Sequence, residues 1–129
     1  MSKPKRNEYP TYFDRYISLV QADSVSEAIT IYTDKLISFI RSIPDEKAAF
    51  RYSSEKWTVK EVVQHILDTE RVFAYRALAV ARGEIQILPG FEQDDYASQS
   101  HSEKRSLDDL KEEFEALRYS NNILFRSFS

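Results

Sequence analysis

Apolar side chains recur at helical spacing in three long stretches, and the best marked of them runs from Trp57 to Gly83, WTVKEVVQHILDTERVFAYRALAVARG. Thr58 is a natural N-cap and Glu61 stands where its carboxylate can reach back to the Thr58 amide, a capping box. Trp57 before the cap and Val62 at the fourth helical position form a hydrophobic staple. At the other end Gly83 can take the left-handed conformation that closes a helix, with Arg82 near the carbonyl end of the dipole. At about 100° per residue the apolar stripe comprises Val59, Val62, Val63, Ile66, Phe73, Ala77, Val80 and Ala81, with Glu70 inside it. His65, Thr69 and Arg76 lie along one edge, Leu67 and Leu78 widen the other, and Lys60, Gln64, Asp68, Arg71 and Tyr75 point away. So wide an arc predicts a helix covered by two neighbours, as in a bundle.

The rest of the chain extends this pattern. Residues 1 to 10 are polar and proline-bearing and read as a loose N-terminal arm. Thr11 to Val20 carries Tyr12, Phe13, Tyr16, Ile17 and Val20 at helical spacing, which predicts a short helix or an ordered arm packed on the bundle, with a strand as the alternative. Ser24 and Glu27 form a second capping box, and Ala28, Ile29, Tyr32, Leu36, Phe39, Ile40 and Ile43 mark one face of a helix over 25–43, stopped by Pro44. The segment 84–105 reads as a long crossover linker, held by its own Ile85, Ile87, Leu88, Phe91 and Tyr96 and suited to a lid or rim. Ser106 caps a third long helix, whose seam of Leu107, Leu110, Phe114, Leu117, Asn121, Leu124 and Phe128 alternates three and four apart with one polar interruption. That seam is still apolar where the sequence stops. The expectation is therefore that a fourth helix is absent or that another copy covers an apolar groove.

Composition narrows the function classes. With 129 residues, 42% of them apolar, and only two glycines, the chain is expected to be a single all-α domain over 1–129. There is no cysteine, which excludes disulfides, thiolate ligands and a cysteine nucleophile. A net charge of −3 with interleaved acids and bases leaves no electrostatic footprint for nucleic acid or a membrane surface. The basic N-terminus has no apolar region behind it and no apolar run approaches the ~20 residues of a membrane span, so a cytoplasmic protein is expected.

Few residues carry chemistry. His65, at the edge of an apolar stripe, reads on position either as a packed structural residue or as a metal ligand or acid–base group, and a site needs further convergent groups. Glu70 is turned about 140° from it, so the two cannot share a metal without another helix. Glu70 itself reads as an ion pair inside the bundle, with Arg76, Arg71 or a tyrosine as partner, or less readily as a base. Asn121 reads as a register-setting polar residue. Glu92, Asp94 and Asp95 lack calcium-loop spacing and read as a solvated loop, and His101 as a solvated side chain. No catalytic residue is assigned.

Three segments, YFDRYISLV, KWTVKEVVQHILDTERVFAYRALAVARGE and LPGFEQDDY, together resemble the DinB/YfiT-like superfamily, in its DinB-like second branch, over Tyr12 to Phe128. The resemblance implies an up-down-down-up four-helix bundle with a long crossover between the second and third helices, and a homodimer. It also implies a divalent metal, zinc or nickel, held by a histidine of the second helix and an HxxxH pair on the fourth, serving thiol S-transfer or hydrolysis of a small molecule. By motif His65 matches the second-helix ligand, while no HxxxH pair occurs in this sequence. Two readings follow. One is a metal-dependent thiol S-transferase or hydrolase whose metal site is incomplete in this chain, using a small-molecule thiol and with segment 84–105 as pocket wall. The other is a non-catalytic, metal-free oligomerising bundle. Neither nucleic acid nor a membrane is expected as partner.

Overall fold

The structure is a computed structural model that describes residues 2–128, and it is helical throughout apart from an isolated antiparallel bridge between Ser2 and Ser24. A 3-10 turn, Thr11–Phe13, leads into the short helix α1, Asp14–Ile17. Three long helices follow: α2, Val25–Ser42, α3, Val59–Ala81, and α5, Leu107–Arg126, with a short α4, Gln93–Gln99, inside the crossover. No helix is long and apolar enough to cross a membrane.

The ends of α3 form as the sequence dictates. Thr58 Oγ1 accepts from the Glu61 amide at 3.2 Å, and the Thr58 amide donates to Glu61 Oε2 at 2.6 Å. At the C-terminus the Gly83 amide donates to the Val80 carbonyl and the Glu84 amide to the Ala79 carbonyl. This paired closure requires a left-handed residue, and Gly83 has φ of 80°. Hydrogen bonds from the Thr58 amide and hydroxyl hold the Glu61 carboxyl below the usual carboxylate range. A group depressed in this way stabilises the fold above its unfolded value, about 4.3, and that contribution is lost as pH falls through the folded value. Thr58→Ala is expected to lose about 1 kcal/mol near neutrality, and less of that difference should remain in acid. Urea midpoints of the two proteins at pH 7 and pH 3 check both statements.

Side-chain pairs fix the helix directions. Lys60 donates to the carbonyls of Glu103 and Arg105, Arg71 pairs with Glu113, and Glu70 meets Arg118 and Asn121. Numbers rise together, so α3 and α5 are parallel, and a long crossover must carry the chain back. Against α2 the order reverses: Asp45 meets Lys111, Arg41 meets Glu115, and Thr33 meets Asn122. The three long helices therefore run up, down, down, the first three steps of the expected topology.

The helix α5 packs against both α2 and α3, and the core gathers where they meet: Ile37, Ile40, Val63, Leu67, Leu107, Leu110 and Phe114. The covered face of α3 centres on Val63, Leu67 and Ala74, so the expected stripe is only half occupied. Val62, Phe73 and Val80 are exposed, as are Leu36 and Phe39 on α2. Gln64, expected to face away, is buried because its amide group bridges Asp68 and Arg105 at 2.9 Å each. The aromatics of 11–20 do not pack into the core either. Tyr12, Phe13 and Tyr16 stay exposed, with the Arg15 guanidinium over the rings of Tyr12 and Tyr16. The preceding arm is tied down, since the Lys3 amide bonds to the Asp23 carbonyl and its Nζ to the Val20 carbonyl.

The crossover is the larger correction. Glu92, Asp94 and Asp95 do not form a solvated loop: Glu92 is the N-cap position of α4, and the two aspartates occupy its first turn, where negative charge suits the helix dipole. A 3-10 turn, Ser102–Lys104, then leads into α5, entered through His101 at a left-handed φ of 49°. Both α4 and this turn lie against α3.

Candidate functional site

His65 sits in the second turn of α3, half-buried, between the face on which the crossover lies and the face left uncovered. Its ring packs on Trp57, the centroids 4.9 Å apart, and Thr69 Oγ1, one turn on, lies 3.5 Å from both ring nitrogens. Contacts on two sides hold the imidazole at a defined position. The long α3 cap brings this about, because Trp57, immediately before the N-cap Thr58, folds back over the second turn. In sequence Trp57 reads only as a staple for Val62; its place against His65 is a contact that helix-wheel angles do not show.

Trp57 also joins two cavities. One, of about 440 Å³, is lined by Tyr52, Glu55, Lys56, Trp57, Val62 and, from the start of α4, Gln93 and Asp94. The crossover thus forms a pocket wall beside the His65 platform. The other is an apolar groove between α2 and α3, lined by Trp57 together with Phe39, Ile40, Val62 and Ile66.

The remaining candidates do not converge on His65. Glu70 turns into the helix interface, its side chain 10% exposed, where Oε2 lies 2.8 Å from Arg118 Nη2 and Oε1 accepts from Asn121 Nδ2 at 2.9 Å. It is an interior ion pair, but its partner is Arg118 of α5 rather than Arg76, Arg71 or a tyrosine. Arg76 donates instead to the Pro89 carbonyl of the crossover. Asn121 is the polar break in the α5 seam, and its Nδ2 donates to Glu70 Oε1. His101 is exposed, its Nδ1 3.6 Å from Glu103.

A divalent ion needs three or more protein donors, and a lone imidazole cannot hold one against water. Among the described residues no three His, Asp or Glu side chains come together to hold a metal ion. The residues present therefore do not fit a complete metal centre. What the structure shows at His65 is a ring braced by Trp57 and Thr69, with a cleft beside it.

Residues 29–129 match the family described as the DinB superfamily. The chain belongs to the DinB superfamily. A relative from Oceanobacillus iheyensis, bearing the name "Putative metal-dependent hydrolase", is 28% identical over 71 residues, which cover 55% of this DinB-superfamily chain and 41% of the relative. The match thus spans about two-fifths of that relative's length. No solved structure matches the chain.

Proposed function

We propose that this DinB-superfamily chain supplies one ligand, His65, to a zinc or nickel centre used for hydrolysis or thiol S-transfer on a small molecule, with the other donors coming from outside residues 2–128. The observation that carries this reading is the placement of His65. It is the one histidine on the long helices, its ring is held by Trp57 and Thr69, and the residue it packs on opens into a cleft walled by α4. The name of the Oceanobacillus relative points to the same class of chemistry. The cleft, at about 440 Å³, is of the size that takes small ligands. Its mixed lining, with Glu55, Lys56 and Asp94 beside two aromatic rings, suits a polar molecule carrying an apolar part.

A second reading rests on a separate observation, the lack of any converging donor set among the described residues. On it, the chain is a metal-free bundle without catalytic activity. Elemental analysis of the protein isolated together with whatever supplies the remaining donors, and of the same preparation carrying His65→Ala, separates the two. The metal reading expects zinc or nickel approaching one per subunit, falling at least tenfold in the variant while circular dichroism stays unchanged. No metal in the parent protein, or equal metal in both, overturns it in favour of the metal-free bundle.

A further inference from the structure

Where the crossover turn at 88–91 lies over α3, the two enclose a cavity of about 300 Å³. Val72 and Tyr75 of α3 line it together with Phe91 and Tyr96, whose rings stack with centroids 5.0 Å apart. Two arginines, Arg71 and Arg76, complete the polar part of the lining, and no carboxylate of the described residues joins them. The two cations are not equivalent. Arg71 pairs with Glu113, a carboxylate shared with Arg105, and Asp109 balances the second arginine. Arg76 is half-buried and meets no carboxylate among the described residues; its Nη2 donates to the Pro89 carbonyl at 2.7 Å, which anchors the guanidinium to the turn. A guanidinium has five N–H donors, and no other described residue accepts from this one. A second cavity, of about 520 Å³, adjoins the first through Arg71, Val72 and Tyr96 and is bordered by Asp68 and Asp95. The pair of cavities is thus polarised, with uncompensated positive charge at the Arg76 end and negative charge at the other.

We propose that the cavity under the crossover binds a small aromatic carboxylate, its carboxylate on Arg76 and its ring against Tyr75, Phe91 and Tyr96. A guanidinium meets a planar carboxylate through two parallel N–H bonds, and aromatic walls favour a flat apolar body. One uncompensated cation suits a monoanion; a phosphate dianion would bring surplus negative charge towards Asp68 and Asp95. The volume stands at the lower end of the range for small-ligand pockets, which fits one ring or two fused rings. The site is separate from His65. Val72 follows that histidine by seven residues, about 10 Å along α3, so the assignment holds whether or not a metal is bound.

Titrating sodium 2-naphthoate into the nitrogen-15-labelled protein is expected to shift the amide signals of residues 72–76 and of Leu88, Gly90 and Phe91 saturably. The uncharged 2-naphthamide, which keeps the rings, should bind at least tenfold more weakly. Arg76→Ala should weaken naphthoate binding at least tenfold and Arg76→Lys by less, because an ammonium keeps the charge and loses the fork. Tyr96→Ala, at a half-exposed position in the cavity wall, should weaken it as well. Arg82→Ala is the control: Arg82 borders a different cavity, beside Phe128, that Arg76 also lines, and its loss should leave binding unchanged. No saturable shift up to several millimolar naphthoate overturns the proposal, and so does equal binding of the amide. Loss of binding with Arg82→Ala but not with Tyr96→Ala overturns it too, by placing the ligand in the other cavity. Should Arg76→Ala fail to fold, as judged by circular dichroism, the naphthoate-to-naphthamide ratio and the Tyr96→Ala and Arg82→Ala pair decide on the same terms.

Discussion

Phe114→Ala is expected to remove about 3–5 kcal/mol of stability, the usual range for emptying a large aromatic site in a packed core. Phe114 is 1% exposed and stands on α5, the helix that touches both α2 and α3, among Leu67, Leu110, Val63, Ile37 and Ile40. Its ring therefore fills space bounded by all three long helices, and no single neighbour can collapse into the gap without parting from another. Domains of this kind have about 5–15 kcal/mol in total, so the variant would retain a minority of its stability or none. Urea denaturation should move the midpoint down by roughly 2 M at an ordinary denaturant slope. Ile123→Ala on the same helix is the control: that side chain is 63% exposed, and its loss should change stability by no more than about 0.5 kcal/mol. Equal effects at the two positions would show that the core is not centred on Phe114.

The same comparison shows what a residue pattern can and cannot locate. Phe114, Leu110 and Leu107 are recoverable from the α5 seam because α5 is covered on the side its apolar residues mark. The pattern of α3 is less decisive: Val62, Phe73 and Val80 satisfy helical spacing as well as Val63 and Leu67 do. Which of them is buried depends on where α5 lies, and a single helix carries no record of that. Spacing likewise favours Leu36 and Phe39 on α2, while the buried residue beside them is Ile37. Gln64 looked solvent-facing because its hydrogen bond to Arg105 spans 41 residues. Helix ends, by contrast, depend on a few adjacent residues, and the capping box at Thr58 and the left-handed Gly83 stand where those residues put them. The short α4 escaped because seven residues carry too little periodicity to distinguish a helix from an acidic loop. At the candidate site, position marked His65, but Trp57 over its ring and the want of converging donors are facts of three dimensions.

Glu70→Ala should be the most damaging change of a polar residue, about 3 kcal/mol, the lower end of the range for breaking a buried ion pair. The lower end applies because Arg118 keeps 21% of its side chain in water, which softens the cost of leaving it unpaired. Two groups lose their acceptor at once, the Arg118 guanidinium and the amide of Asn121, itself 5% exposed. Arg118 can spare little, since its Nε is buried with no hydrogen-bond partner among the described residues. The cost thus comes mainly from stranded partners rather than from the lost carboxylate. Replacing both ends, as Glu70→Leu with Arg118→Leu, should therefore cost much less than Glu70→Ala alone, because apolar groups of similar volume leave no stranded charge between α3 and α5. A double-mutant cycle on Glu70→Ala and Arg118→Ala, read by urea denaturation, should give a coupling of about 1–3 kcal/mol. Coupling near zero would mean that the pair does not hold the two helices in register. Glu70 would then be free for another role, which its bonds to Arg118 and Asn121 otherwise preclude.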